Sequence, residues 1–298
     1  MTHFEFTKLI VIESLSTTER RTGKELYDDL LRFEKYKHAY LKDLQVEYKS
    51  VSTLKDWDIL MLNILDECKK KSTIPILHFE IHGESNGRGL VTQSGDLITI
   101  MHAGAQLRSI NIATGGNLFI TLGVCMGLNL LFDAQLSKPM PFVGAVGSFD
   151  ELDNNDIYLR FYDFYDTFFN TLDIAIAYSA LQKANPDIPS KYRYIPADEL
   201  FYKAYHDYLI RDCSPEAVRD RAKESIKEMV QGKFLNRLQR RQKECEFIKR
   251  EQKSRFRYYQ EYSSLFFMLK EYPENRDRFD VPKTFQELKK RYETQVLI

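Results

Sequence analysis

Two side chains in this sequence have the types and the spacing to act as a nucleophile and its base. His82 ends the apolar run Ile76-Leu77-His78-Phe79-Glu80-Ile81-His82 and is followed by Gly83. Cys125, 43 positions later, ends a second apolar run from Asn117 to Val124 and is followed by Met126-Gly127. A thiol attacks as its thiolate, which forms beside a histidine or at a helix N-terminus. A helix expected from Met126 would give Cys125 such a terminus, with His82 as general base. The oxyanion of an acyl transfer needs donors already aimed at it. The amides of Gly83 and Cys125 are the expected pair, because a missing side chain at Gly83 lets a substrate reach the backbone. An isolated cysteine is more simply an inert buried thiol; the upstream His-Gly is what favours a dyad here.

The elements that must position these residues follow from hydrophobic periodicity. Phe6 to Leu15 reads as a first, central strand, and a helix starts near Thr22 with Glu25 as its capping-box partner. That helix buries Leu26, Leu30, Leu31 and Phe33. Leu44 to Val51 alternates like a strand with one wet face, Asp56 to Cys68 is an amphipathic helix, and Ile76 to His82 is the next strand. This β-α-β-α-β order implies parallel strands joined by crossover helices. Sites in such sheets collect outside the carboxyl ends of the strands.

Farther on, Gly83 to Gly89 is a loop, Leu90 to Ile100 a small hairpin around Ser94-Gly95-Asp96, and Ala103 to Ala113 a short helix stopped by Gly115-Gly116. The strand to Cys125 follows, then a helix from Met126 to about Gln135, and a buried strand from Pro141 to Ser148. An aromatic helix or helix pair runs to Pro186. The composition changes at Pro186-Asp-Ile-Pro189, which sets domains of 1–188 and 189–298. The second is expected to be helical throughout: Ala197–Arg211, Pro215–Tyr272 with a break near Gly232, and Lys283–Val296.

A strand ending in His-Gly, then a strand ending in cysteine, resembles the caspase-like cysteine peptidases. More narrowly it is similar to the CHAT branch, a caspase-type domain often found beside TPR repeats in bacteria. The resemblance spans roughly Phe6 to Pro186. It includes a Gly-Leu-x-x-x-x-Gly hairpin at Gly89–Gly95, Gly147-Ser148 after the last strand, and the aromatic helix around Phe161-Tyr162-Asp163-Phe164-Tyr165. The chain departs from that pattern at Val124, where the family commonly has alanine, at Met126, where it has Ser or Thr, and in its helical tail. The resemblance implies a caspase-like, mostly parallel sheet flanked by helices, with His82 and Cys125 as the dyad of an endopeptidase. It also implies a protein or peptide substrate, a regulatory or sensor protein as partner, and an antiviral-defence or cell-death role.

Ser148, Asp150, Glu151 and Asp153 fall at the rim where such a substrate would lie. An acidic pocket there would select Lys or Arg before the scissile bond. A helix N-terminus, whose dipole favours carboxylates, accounts for the same cluster more simply. Gly123-Val-Cys-Met-Gly127 also fits the G-x-C-x-G elbow of thiol amidotransferases and hydrolases. Those families place the histidine after the cysteine, and His206 within a helical pattern is the only later one. His78 and His82 share a strand face, but two histidines are too few for a metal site, and no metal is expected. No P-loop or dinucleotide fingerprint is present, and the implied chemistry needs no cofactor.

The bulk numbers name no partner: 43 Lys and Arg balance 43 Asp and Glu. Lys233–Arg257 is locally basic, with ten cations against three carboxylates. That run could meet nucleic acid as a binding scaffold, which rising salt would weaken steeply. Basic residues interleaved with Phe234, Leu235, Leu238, Phe247 and Ile248 are more often the wet face of a packed helix. No apolar stretch reaches the ~18 residues of a membrane span, no signal peptide is recognisable, and four scattered cysteines suit a reducing compartment. A cytoplasmic location is the expectation.

Overall fold

All seven residues of β1 (Lys8–Ser14) are buried, and the strand lies between β2 (Gln45–Ser50) and β3 (Pro75–Gly83). In this computed structural model, residues 4–32, 41–229 and 235–292 are described. The chain forms two compact units, 1–134 with 139–197, and 135–138 with 198–298.

The first unit is α/β. Its sheet runs β2-β1-β3-β6-β7-β8, with β6 at Phe119–Leu122, β7 at Gly144–Ser148 and β8 at Tyr192–Pro196. All pairings along this path are parallel except β7 with β8. A small hairpin, β4 (Gly89–Val91) and β5 (Leu97–Thr99), joins the end of β3 antiparallel. Two helices of this unit, α1 (Thr22–Arg32) and α2 (Leu54–Lys71), are crossovers between the first strands. The others are α3 (Ile100–Ala113), α4 (Asn154–Thr171) and α5 (Ile174–Lys183).

Strand alternation assigns the faces. Phe79 of β3 meets Trp57 of α2, with ring centroids 5.5 Å apart, while His78 meets Phe161 of α4 at 4.7 Å. By the same period His82 belongs to the α1/α4 side. The aromatic stretch is a helix pair: Leu172 adopts φ 54°, and Asp173 then caps α5 through the amides of Ala175 and Ile176.

The structure corrects several expectations. Thr22 does not pair with Glu25 as a capping box; its hydroxyl donates to Glu80 Oε2 (3.0 Å), and Glu13 Oε1 accepts the amide of Lys24 instead. A capping box forms instead at α2, between Thr53 and Asp56. The strand carrying the thiol stops at Leu122, and Gly127–Asp133 is a 3₁₀ turn in place of a helix from Met126. Helices alone were expected beyond Pro186, yet β8 closes the sheet edge. Proline at a strand end suits an edge, where one row of donors has no partner to serve. Phe33, Gly232, Lys233 and Phe234 lie outside the described residues.

The second unit is helical: α6 (Ala197–Asp212), α7 (Pro215–Met229), α8 (Arg237–Phe266), α9 (Asn275–Arg278) and α10 (Phe285–Tyr292). Phe201, Tyr205, Tyr259, Phe266, Phe267 and Phe279 form its aromatic core. Among the described residues no helix is long and apolar enough to cross a membrane.

Candidate active site

Neighbouring strands deliver the two candidate reactive residues to one end of the sheet. β3 ends at His82-Gly83, and the turn after β6 carries Cys125, with the Gly123 amide bonded to the Phe79 carbonyl (2.9 Å). Gly83 sits directly on the cysteine: a Cβ there would lie 1.7 Å from the Cys125 carbonyl oxygen. Bonded and non-bonded pairs alternate along an antiparallel ladder. Glu84 N–H bonds Gly89 C=O, so the pair Gly83–Leu90 is a non-bonded one, and the Gly83 amide faces away from β4.

The sulfur of Cys125 accepts the Leu152 amide at 3.3 Å. The following residue, Met126, takes φ 55° and donates its amide to the Asp150 carbonyl (3.0 Å). The segment after β7 is thus tied to the cysteine turn at two points. Among the described residues no hydrogen bond joins Cys125 to His82. The imidazole Nε2 instead lies 3.0 and 3.2 Å from the two oxygens of Glu19, in the loop between β1 and α1. The Ser16 amide bonds the same carboxylate and, with His82, holds it below the usual carboxylate range. Sequence reasoning missed Glu19; nothing local in Ser16-Thr17-Thr18-Glu19 marks it.

A buried polar chain supports this end of the sheet. Tyr165 of α4 bonds Thr121 (2.6 Å), which bonds His78 Nδ1 (2.8 Å), while His78 Nε2 bonds Glu80 Oε1 (3.0 Å). His78 and His82 are therefore not brought together, and among the described residues no group of three His, Cys, Asp or Glu could hold a metal. Glu80 fills the space beneath Gly123, whose missing Cβ would lie 2.7 Å from its carboxyl carbon. Burial pushes the Glu80 carboxyl above its usual range, against the pull of His78 and Thr22.

That shift predicts a pH dependence. A carboxyl raised in the folded state contributes stability below its unfolded pKa and loses it as pH rises through the folded value. Glu80→Gln can accept from Thr22 and donate to His78 without a charge. The variant is expected to gain on the wild type as pH rises above about 4.3, by at most about 1.4 kcal/mol per unit. Urea unfolding read at Trp57 from pH 4 to 8 checks it; parallel curves would show that burial does not hold the proton on Glu80.

The remaining candidates divide. Ser148 is fully buried, and its hydroxyl accepts the Asp150 amide (3.0 Å), so it presents nothing to a substrate. Asp153 is the N-cap of α4, bonding the amides of Asn155 and Asp156, which matches the simpler reading of the acidic cluster. Asp150 and Glu151 are exposed, and the Glu151 carbonyl accepts from Lys191 (2.8 Å). In an elbow the nucleophile itself occupies the strained turn; here the positive φ falls on Met126, and His206 lies on α6 in the other unit. His102 pairs with Asp58 (2.6 Å) on the surface.

The other thiols contrast with Cys125. Cys68 and Cys213 are buried, and burial pushes Cys68 up to about 12; Cys245 is exposed on α8. On the same helix Arg237, Arg240, Arg241, Lys243, Lys249 and Arg250 are exposed, with no ion pair among the described residues. Neither any protein-family model nor any curated protein matches the chain.

Proposed function

We propose that the first unit is a caspase-like cysteine endopeptidase acting through Cys125 and His82. The observation that carries this reading is the meeting of the two strand ends, with Gly83 packed on the Cys125 carbonyl. In this reaction the Cys125 sulfur attacks the scissile carbonyl while His82 takes the thiol proton. The amides of Gly83 and Cys125 receive the oxyanion. The tetrahedral intermediate collapses to a thioester as His82 returns the proton to the leaving amine, and water activated by His82 then releases the acid. In the resting arrangement the sulfur faces Leu152, so a turn of the Cys125 side chain precedes attack. A partner or substrate that displaces the segment Phe149–Asp153 would permit that turn. Regulation by another protein, in a bacterial defence or cell-death setting, follows from resemblance alone.

Labelling with a peptidyl acyloxymethyl ketone tests the reading. Cys245→Ser is the background, since Cys245 is the exposed competing thiol. Labelling is expected at Cys125 and should vanish in both Cys125→Ala and His82→Ala. Labelling that survives His82→Ala would remove His82 as the base. Complete inertness, even toward iodoacetamide, would favour a scaffold whose basic α8 face meets a polyanion such as nucleic acid.

A further inference from the structure

Glu19 stands 63 residues from His82 in sequence, yet both its oxygens contact the imidazole Nε2. An exposed pair of this kind usually contributes little to stability. What sets this one apart is the anchoring of its loop. Glu19 bonds Ser16 at both its amide and its carboxylate, with Glu19 N–H to Ser16 C=O at 3.1 Å and Ser16 N–H to Oε2 at 2.8 Å. The next residue, Arg20, binds Glu25 (2.7 Å) and Asn155 and lies over the Tyr158 ring. Arg21 binds the fully buried Glu13 (2.7 Å) and Tyr48. Consecutive residues therefore engage β3, then α1 with the start of α4, then β1 and β2. A surface carboxylate with no positional task would not require such fastening.

A carboxylate accepts only, so the ring nitrogen facing it carries the proton. We infer that Glu19 is the positioning residue of His82, holding the imidazole in the Nε2–H form so that Nδ1 is the nitrogen that takes the Cys125 proton. The inference rests on the cysteine-peptidase reading of this site. In the step itself the S–H bond breaks, its electron pair stays on sulfur, and the proton goes to Nδ1. Glu19 remains a carboxylate throughout and steadies the imidazolium that forms. The arrangement parallels the orienting carboxylate of other nucleophile–base pairs.

The test uses the full chain, ¹⁵N-labelled at histidine, with the His82 signals assigned by their loss in His82→Asn. With the ring neutral, the wild type is expected to show His82 protonated at Nε2, and Glu19→Ala a mixture of the two tautomers. Peptide-probe labelling of Cys125 should fall about tenfold to a hundredfold in Glu19→Ala, through the maximal rate rather than probe affinity, with partial recovery in Glu19→Asp. A wild-type ring protonated at Nδ1, or a tautomer unmoved by Glu19→Ala, would overturn the inference. If the tautomer responds but Cys125 is inert in every variant, the hold of Glu19 on the ring stands and the peptidase reading falls.

Discussion

Gly83→Ala is expected to slow labelling of Cys125 sharply while leaving the first unit folded. The new Cβ would lie 1.7 Å from the Cys125 carbonyl oxygen and 2.8 Å from its carbonyl carbon. Both atoms are backbone, so no side chain can rotate out of the way. Either the end of β3 or the cysteine turn must move by more than 1 Å, and a misplacement of that size in a reacting group costs on the order of 100-fold in rate. Overpacking of this kind destabilises by about 1–3 kcal/mol, a loss that a domain of ordinary stability survives. Probe labelling in the Cys245→Ser background, with Trp57 fluorescence as the check on folding, measures both. A folded Gly83→Ala protein labelled at the wild-type rate would mean that the contact between the strand ends does not govern the thiol. Gly123 makes the complementary contact from below, so the cysteine turn is bounded by Gly83 above and by Glu80 beneath.

The sheet and the ends of its strands were legible because buried parallel strands read as continuous apolar runs bounded by turn residues. That logic located β1, β3 and the approach to Cys125. It extended β6 too far, since Gly123 and Val124 continue the apolar run. The strand ends where Glu80 crowds the backbone at Gly123 and Met126 takes a left-handed conformation. The polar layer was not legible at all. Glu13, His78 and Glu80 are carried inside apolar runs, and nothing in one sequence says that Thr22, Thr121 and Arg21 arrive to meet them. Glu19 was hidden for the same reason, because its partner is fixed by the sheet and not by neighbours in the chain. β8 was missed because this short edge strand, Tyr-Arg-Tyr-Ile-Pro, buries only its first residue, exposes Arg193 and leaves the rest half-buried.

Arg160→Met is expected to be the most destabilising single change away from the thiol. The Arg160 side chain is fully buried on α4, and its Nε donates to Asp156 Oδ2 at 2.6 Å. Its remaining donors reach the carbonyls of Leu181 (2.9 Å), Gln182 (3.2 Å) and Ile188 (2.5 Å). One guanidinium therefore serves the carbonyls that the end of α5 leaves unpaired and the segment that leads into β8. Methionine keeps much of the volume but none of the donors. It leaves the buried Asp156 charge with only the neutral Asn185 amide as a side-chain donor, a loss of about 3–5 kcal/mol when one partner of such a pair is removed. Asp156→Asn in the same chain removes the uncompensated charge and should recover a good part of that loss, a coupling that a double-mutant cycle reads directly. Trp57 is the chain's single tryptophan and is buried in the first unit, so urea unfolding followed by its fluorescence reports this unit alone. A cost below about 1 kcal/mol, the range of exposed pairs, would show that water replaces the guanidinium. The consequence reaches the candidate site through the chain itself. Asp156 lies in the first turn of α4, just after the Asp153 cap and the Leu152 amide that holds the Cys125 sulfur. Loosening that turn frees the segment that restrains the thiol, so Arg160→Met should raise simple alkylation of Cys125 by iodoacetamide even as it lowers stability.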